Sequence, residues 1–328
     1  SEGASATNYP VCYYTSADAL PAGGLTNPLY RTSWLVLRRI RTQSAYPENG
    51  VFEMGSPITE RGHNEIRWSI GYEDQHLVTL THDFYLGVFE VTQGQWHQVM
   101  GTVNGGFSCE ADRLQRPVEQ VAYNAVRGNG WPESGASNGT FFKLLQQKTG
   151  LAAFDLPTEA QWEYACRAGT ATSLYSGGTL HAIAGADTNV TALGRYRYNG
   201  GALSVGSDQI EGAWQDPATD APACPATNGT AVAGSYLPNA WGLYDMLGNV
   251  YEFCLDWMNA RLGVQAVLDP TGPATANRES GNRVTKGGSY GDHPFCLRAG
   301  FRRGWDENSA HVAFGFRAAM NLPTDMAE

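Results

Sequence analysis

Apolar residues recur at helical spacing in three stretches of the chain, and two of these stretches begin with the same polar arrangement. Thr92 and Thr158 are each followed three positions later by a glutamine. This is the spacing of a capping box, in which the threonine hydroxyl accepts the N–H of the glutamine and the glutamine side chain returns to the threonine N–H. The third stretch, residues 141–148, is amphipathic. The pattern predicts three short helices, of which the first two are expected to end at Gly101 and Gly169.

The strand pattern is short and local. Residues 34–40, 51–54 and 77–80 have the alternating or bulky apolar character that is typical of strands. From about residue 170 onward, glycine, asparagine, aspartate and proline separate single aromatic residues. Such a long loop-like stretch is unusual in a compact domain, and its aromatic content opposes disorder. The chain is therefore expected to adopt a fold built largely from ordered loops.

Composition limits the organisation and the partners of the chain. Its 328 residues are 42% hydrophobic and 16% charged, which suits one large domain. We expect residues 1–45 to form an N-terminal extension packed on a domain of residues 46–328. The 22 basic against 32 acidic residues give a net charge of −10, which argues against a nucleic-acid partner. No apolar run reaches the roughly 18 residues of a transmembrane segment.

The cysteines and the aromatic content favour an exported protein. The six cysteines are dispersed without zinc spacing, which leaves up to three disulfides open: Cys12, Cys109, Cys166, Cys224, Cys254 and Cys296. Low charge, 39 glycines and 16 tyrosines are typical of secreted or envelope proteins. The chain begins at Ser1, which favours a trimmed N-terminus and leaves open a lipid anchor on a removed segment. We expect an exported monomer at a bacterial cell surface, in the periplasm or outside the cell.

Six motifs in chain order carry a resemblance to a known family. They occupy residues 84–96 (FYLGVFEVTQGQW), 116–123 (RPVEQVAY), 156–169 (LPTEAQWEYACRAG), 239–252 (NAWGLYDMLGNVYE), 286–290 (KGGSY) and 315–317 (GFR). With these motifs the chain resembles the formylglycine-generating-enzyme, or sulfatase-modifying factor, family over about residues 45–320. The resemblance implies an α+β fold, an elaborated C-type-lectin fold of the formylglycine-generating-enzyme subtype, loop-rich with few regular elements. Such a fold would account for the excess of loops.

The resemblance does not extend to the family's paired catalytic cysteines. Formylglycine-generating enzymes carry two cysteines about five residues apart after the Gly-Gly-Ser motif, where they bind copper and oxidise a substrate cysteine. Here Cys296 is the later cysteine, and the earlier one would fall near Gly291 or Asp292. One thiolate does not make a two-sulfur copper site, and aspartate is a hard ligand that suits copper(I) poorly. We therefore expect no catalytic residue. The alternatives are a copper-dependent oxidoreductase of the formylglycine-generating type acting through Cys296, or a structural accessory domain.

A further branch of the family points to binding. The chain is similar to the variable proteins of diversity-generating retroelements, whose hypervariable positions lie near the C-terminus between GGSW and GFR motifs. The corresponding part of this chain is residues 287–317, which we call the C-terminal segment. Its framework residues match the pattern: Gly287, Gly288, Ser289, Cys296, Arg298, Gly315, Phe316 and Arg317.

The residues between the framework positions have the chemistry of a binding surface. Aromatic side chains supply rigid contact area, and polar side chains supply adaptable hydrogen bonds. The sequence thus predicts a non-catalytic ligand-binding (display) protein, diversified by a retroelement, whose partner is an unknown protein or surface ligand. The predicted contact residues are Tyr290, Gly291, Asp292, His293, Phe295, Phe301, Arg303, Trp305, Asp306, Glu307, Asn308 and His311.

The resemblance also implies a structural calcium site. The family's ligands correspond to side-chain oxygens of Asp245 and Glu252 and to backbone carbonyls of Gly248 and Val250. Calcium takes six to eight oxygen ligands at about 2.3–2.6 Å, and a tight turn can direct carbonyls inward between two carboxylates. The alternative is that Asp245 caps a turn while Glu252 pairs with an arginine such as Arg298 or Arg317.

Overall fold

Three small sheets and six short α-helices are joined by long loops in the computed structural model of this chain. The structure describes residues 9–42, 49–63, 72–104, 112–199, 229–259, 261–276 and 281–321. The helices are α1 (Leu29–Thr32), α2 (Gln93–Met100), α3 (Tyr123–Val126), α4 (Phe141–Thr149), α5 (Glu159–Arg167) and α6 (Thr188–Thr191). The strands are β1 (Leu37–Ile40), β2 (Val51–Met54), β3 (His76–Thr79), β4 (Phe84–Gly87), β5 (Phe154–Asp155), β6 (Tyr251–Trp257), β7 (Val267–Leu268), β8 (Asn282–Lys286), β9 (Arg303–Asp306), β10 (Phe314–Gly315) and β11 (Ala319–Asn321). The prediction of a loop-rich α+β fold with few regular elements is confirmed.

The sheets join parts of the chain that are far apart in sequence. Their strand orders are β1-β4-β11-β5, β10-β6-β8-β9 and β2-β3-β7. Strand β4 lies between β1 and β11 and is antiparallel to both, so the early and late parts of the described chain meet in one sheet. In the second sheet, β8 is antiparallel to both β6 and β9, and β10 is parallel to β6, so β9 and β10 of the C-terminal segment form the two edges of this sheet.

The two predicted capping boxes are present. At the start of α2, the Thr92 hydroxyl accepts the N–H of Gln95 at 3.2 Å, and the Gln95 side chain accepts the N–H of Thr92 at 3.0 Å. Thr158 and Gln161 make the same pair of bonds at 3.2 and 3.0 Å at the start of α5. Each box satisfies donors that the first helical turn leaves unpaired.

Two predicted boundaries differ from the structure. The first strand begins at Leu37 rather than at Trp34, because the Trp34 N–H bonds back to Leu29 of α1 and its ring packs edge-on against Tyr30. Helix α5 ends at Arg167 and is capped by Ala168, which adopts a left-handed conformation with φ of 46°, rather than by Gly169. Both differences arise at the exit of a helix, where the last backbone bonds decide the end.

The N-terminal residues contact α2. The Gln95 side-chain amide donates to the carbonyl oxygens of Tyr30 at 3.1 Å and Trp34 at 2.9 Å, and the Tyr9 hydroxyl donates to the Gln98 carbonyl at 2.8 Å. These bonds attach the polypeptide before β1 to the body of the fold. Among the described helices, none is both long and apolar enough to cross a membrane.

An aromatic cluster joins α2, α4 and the end of the C-terminal segment. Trp96 stacks on Phe141 with ring centroids 5.5 Å apart, and Phe316 meets Phe141 edge-on at 5.0 Å. All three side chains are buried. Because close-packed aromatic rings tolerate little movement, this cluster fixes the point where the C-terminal segment re-enters the core.

Candidate ligand-binding surface at the C-terminal segment

Two buried arginines anchor the C-terminal segment. Arg298 makes a bidentate pair with Glu73 at 2.7 and 2.8 Å and also bonds Glu60 at 2.8 Å. Burial opposes its charge, but Glu73 and Glu60 outweigh that effect and raise the pKa of Arg298. Arg317 makes a bidentate pair with Glu252, with both N–O distances 2.6 Å. Planar guanidinium–carboxylate pairs of this kind fix orientation as well as charge.

Main-chain bonds hold the strand and turn between these anchors. Strand β9 pairs with β8 in antiparallel register. After it, the Glu307 carbonyl accepts the Asn124 N–H at 3.0 Å, and the His311 carbonyl accepts the Gln120 N–H at 3.1 Å. Bonds between backbone atoms do not depend on which side chains the strand and turn carry. Two displayed side chains add to these bonds, since Asp306 accepts the Asn308 N–H at 2.9 Å and His311 accepts the Ala313 N–H at 3.1 Å. The backbone path thus rests mainly on main-chain bonds, with local support from Asp306 and His311.

Nine of the twelve predicted contact residues are partly or fully exposed: Gly291, His293, Phe295, Arg303, Trp305, Asp306, Glu307, Asn308 and His311. The other three predicted residues, Tyr290, Asp292 and Phe301, are buried, with exposed fractions of 3%, 8% and 2%. The Asp292 carboxylate turns inward and accepts the Ser289 N–H at 3.0 Å. The Phe301 ring packs edge-on against Phe295 with centroids 5.9 Å apart. The three residues support the surface from beneath.

The first exposed patch includes a residue that the sequence did not reveal. The Tyr198 hydroxyl lies 2.9 Å from Nδ1 of His293, and the His293 ring is nearly parallel to that of Phe295, with centroids 6.3 Å apart. Burial and the positive charge of Arg197 lower the pKa of His293, which favours its neutral form at pH 7. The patch thus presents three rings, those of Tyr198, His293 and Phe295, and the first two also carry polar atoms that can form hydrogen bonds.

The second exposed patch surrounds Trp305. Its indole stacks on Phe314 with centroids 4.3 Å apart, and His311 lies 5.3 Å away. The Arg303 guanidinium carbon is 5.5 Å from the centre of the Trp305 ring. Stacking from below and the bond from the indole N–H to the Ser309 carbonyl at 2.9 Å restrict the ring. A ring that is already ordered loses little conformational entropy when it contacts a ligand.

Comparison with known proteins identifies the family. A family model described as "Sulfatase-modifying factor enzyme 1-like domain" matches residues 42–322. The chain belongs to the sulfatase-modifying factor family. It is 32% identical to the formylglycine-generating enzyme of Mus musculus over 276 residues, 74% of this chain and 67% of that protein. It is 34% identical to the enzyme of the same name from Thermomonospora curvata over 225 residues, 66% of this chain and 59% of that protein. The chain thus spans about two thirds or less of these relatives.

Solved structures show the same fold. Treponema denticola variable protein 1 superposes with a TM-score of 0.59 at 22% identity, covering 88% of this chain and 95% of that one. PvdO from Pseudomonas aeruginosa superposes with a TM-score of 0.57 at 22% identity, covering 87% of this chain and 94% of that one. At this identity the likeness establishes a common architecture, not a common activity.

In this sulfatase-modifying factor family member, Cys296 is buried beneath the surface. Burial and the nearby Asp292 carboxylate raise the pKa of the Cys296 thiol well above its usual value. A raised pKa makes a thiol a weaker nucleophile at pH 7, because the thiolate is the reactive form. Cys166 and Cys254 are also buried and unbridged, and Cys12 is exposed and unbridged. Cys109 and Cys224 lie outside the described residues, so the disulfide question stays open for them.

Three of the predicted calcium residues, Asp245, Gly248 and Val250, lie in the loop before β6, and Glu252 is the second residue of that strand. The Glu252 carboxylate bonds Arg317 and also accepts the Trp162 indole N–H at 2.6 Å. This is the arginine pairing considered as the alternative. Asp245 is buried; one of its oxygens accepts the Gly234 N–H, and the other, Oδ1, has no hydrogen-bond partner. An unpaired buried carboxylate oxygen is costly unless a cation approaches it.

Glu90 shapes the same loop. Its carboxylate accepts the Val250 N–H at 3.1 Å and the Asn249 side-chain amide at 2.6 Å. Gly248 has φ of 83°, and a Cβ there would lie 2.2 Å from the Arg195 carbonyl oxygen, so only glycine fits. Within the described residues, no three His, Cys, Asp or Glu side chains converge so that they could hold a metal. A calcium ion here would therefore depend on backbone carbonyls and water as well as on Asp245.

Proposed function

We propose that this chain is a non-catalytic member of the sulfatase-modifying factor family that binds a protein or surface ligand through its C-terminal segment. The main observation behind the proposal is that the bonds holding this segment and the side chains at its surface belong largely to different groups of atoms. Backbone bonds from Gln120 and Asn124 hold the turn after β9, while the side chains of β9 and of that turn are partly or fully exposed. A recognition surface needs such a separation, because its side chains must suit the ligand without unfolding the protein.

The burial of the framework residues supports the same proposal. All of them are buried: Gly287, Gly288, Ser289, Cys296, Arg298, Gly315, Phe316 and Arg317. Two are constrained further, since a Cβ on Gly288 would lie 2.8 Å from the Cys296 carbonyl oxygen and one on Gly315 would lie 2.4 Å from the Val118 carbonyl oxygen. Substitution is therefore costly at these positions and inexpensive at the exposed positions between them.

The names of the curated relatives favour the alternative, a copper-dependent oxidase acting through Cys296. The donor set does not suit copper(I). The neighbour of Cys296 is Asp292, whose carboxylate is already bonded to the Ser289 N–H and hydroxyl. A hard carboxylate does not replace the second soft sulfur ligand. We therefore favour recognition over oxidation.

A pair of display libraries tests the proposal. The first randomises four exposed positions, His293, Phe295, Trp305 and Asn308. The second, a matched control, randomises four framework positions, Gly288, Ser289, Arg298 and Arg317. Each library is displayed on yeast, and the folded fraction is measured as resistance to a brief protease pulse. We expect most members of the first library and few members of the second to be folded.

Selection of the first library on a panel of purified proteins completes the test. Recovery of binders whose affinity depends on the four exposed positions supports a display function. If both libraries lose their folded fraction equally, the surface is part of the structural core and the proposal fails. If the first library folds but yields no binder on any protein, a structural accessory role replaces it.

We further propose that the protein is exported and that a retroelement diversifies the C-terminal segment. The composition supports export, and the framework pattern supports diversification. The genome provides the test of diversification. A reverse transcriptase gene beside a near-copy of the DNA encoding residues 287–317, differing at adenines, is expected. A locus without either element would contradict diversification and would leave the binding proposal intact.

A further inference from the structure

A shallow cleft with two tryptophan walls lies at the end of β6, outside the C-terminal segment. Trp257, the last residue of β6, forms one wall, and Trp131 forms the other. The cleft encloses about 260 Å³. Sites for drug-sized ligands occupy about 300–1,000 Å³. This cleft therefore has room for a single ring-sized molecule rather than for a peptide.

A buried arginine contacts each of the two tryptophan rings. The Arg283 guanidinium carbon lies 3.3 Å from the centre of the Trp257 ring, and that of Arg127 lies 5.3 Å from the centre of the Trp131 ring. Both arginines are 0% exposed. The Trp131 indole N–H also donates to the Thr271 carbonyl at 3.3 Å. Each indole is thus held in place by a cation against its ring. Trp257 is 8% exposed and Trp131 is partly exposed, so Trp131 offers a ligand the larger surface.

The loop that carries Trp131 is held by the same arginines. Arg283 donates to the Asn129 carbonyl at 3.0 Å, and Arg127 donates to the Ser134 carbonyl at 2.7 Å. Since the guanidinium groups bond the loop backbone and stack on the rings, the cleft is formed without a ligand. A site that is already ordered avoids part of the entropic cost of binding.

The rim of the cleft is polar. Asn129, Glu133 and Thr275 line it and are exposed. They supply an amide, a carboxylate and a hydroxyl, a set that can both donate and accept hydrogen bonds, as hydroxyl groups require. Glu133 and the net charge of −10 disfavour an anion, and the apolar walls disfavour a small inorganic cation.

We infer that this cleft binds one neutral pyranose ring. The C–H face of such a ring packs on an indole, while its hydroxyl groups reach the polar rim, so the ligand has the same division of apolar and polar surface as the cleft. No residue of the C-terminal segment lines the site, which makes it independent of the proposed display function. Arg283 connects the two regions, since its Nε lies 3.4 Å from a carboxylate oxygen of Glu307.

Ligand-observed saturation-transfer NMR on the full chain tests the inference. The probes are methyl α-D-glucopyranoside, methyl α-D-mannopyranoside, methyl β-D-galactopyranoside and N-acetylglucosamine. At least one probe should bind saturably, and Trp131→Ala should weaken it by about tenfold or more, as loss of an aromatic contact predicts. Trp305→Ala, the matched variant on the display surface, should leave the affinity unchanged. Circular dichroism verifies the fold of both variants.

The other outcomes overturn the inference. The inference fails if none of the four probes binds saturably. It also fails if wild type and Trp131→Ala bind the probe with equal affinity. Loss of binding in Trp305→Ala alone would assign the sugar to the display surface instead. If Trp131→Ala fails to fold, Glu133→Gln at the exposed rim replaces it, and an unchanged affinity in that variant counts against the cleft.

Discussion

At the scale of single residues, buried charges determine how this fold responds to pH. Asp256 is 3% exposed, and its carboxylate accepts the Glu159 N–H at 2.8 Å. Burial and the negative charge of Glu159 raise the pKa of Asp256 to about 7, against an ordinary value of 3.8. The folded protein therefore retains a proton on Asp256 over a pH range in which the unfolded chain has lost it.

Asp256→Asn should reduce the pH dependence of stability. A raised carboxyl pKa contributes stability that is fully present below about pH 3.8 and is lost as the pH rises to about 7. Each pKa unit corresponds to about 1.4 kcal/mol, so the loss is a few kcal/mol at most. Urea unfolding at several pH values between 4 and 8 measures the effect. The free energy of unfolding of the variant should increase relative to that of the wild type as the pH rises. The exposed Asp18→Asn is the control, and parallel curves for wild type and Asp256→Asn would contradict the prediction.

Arg298→Ala should destabilise the protein strongly. The substitution leaves Glu73 and Glu60 buried without their shared partner. Breaking a buried ion pair from one side costs about 3–5 kcal/mol. The free energy of unfolding in urea measures the effect, with the exposed Arg261→Ala as control. A cost below about 1 kcal/mol would show that Arg298 does not anchor the C-terminal segment.

At the scale of elements, the sequence predicts where helices begin but not which side chains of a loop are buried. The capping boxes at Thr92 and Thr158 could be predicted because all their atoms lie within four residues. In the C-terminal segment the chain has no helical or strand period around Asp292, so the sequence does not reveal which side chains point inward. Tyr198 was missed because it precedes its contact, His293, by 95 residues and lies in an irregular loop.

Thr158→Ala should destabilise the fold through α5 alone. The substitution removes the hydroxyl that accepts the Gln161 N–H at the start of the helix. Loss of such a cap costs about 1 kcal/mol. The exposed Thr102→Ala, which follows α2 rather than capping it, should cost much less. Chemical unfolding of both variants measures the difference, and equal costs would mean that the capping box contributes nothing.

Calcium, which we propose as a structural ion of the Asp245–Glu252 segment, should stabilise the protein. The unpaired Oδ1 of Asp245 fits the oxygen preference of calcium. Millimolar calcium should raise the melting temperature, and EDTA should reverse the increase, because a ligand that binds only the folded state stabilises it. Asp245→Asn should reduce the response, whereas the exposed Asp18→Asn should not. An identical melting curve with and without calcium would contradict the proposed calcium site.

At the scale of the whole molecule, the motifs identified the fold, but the pairing of strands did not follow from them. Six segments in family order were enough to predict an elaborated C-type-lectin fold. The meeting of β1 and β11 on either side of β4 depends on contacts across more than 200 residues, which no local pattern specifies. The fold determines function still less, since the relatives include enzymes while a variable protein shares the architecture.

The central claim, that this family member recognises a ligand and does not oxidise a cysteine, is tested most directly by mass spectrometry of a cysteine-containing sulfatase peptide. The peptide is incubated with the full chain, copper, oxygen and a thiol reductant, beside the Thermomonospora curvata enzyme as positive control. We predict an unchanged peptide with this chain and formylglycine with the control. Formylglycine produced by the wild type and abolished by Cys296→Ser would contradict the account.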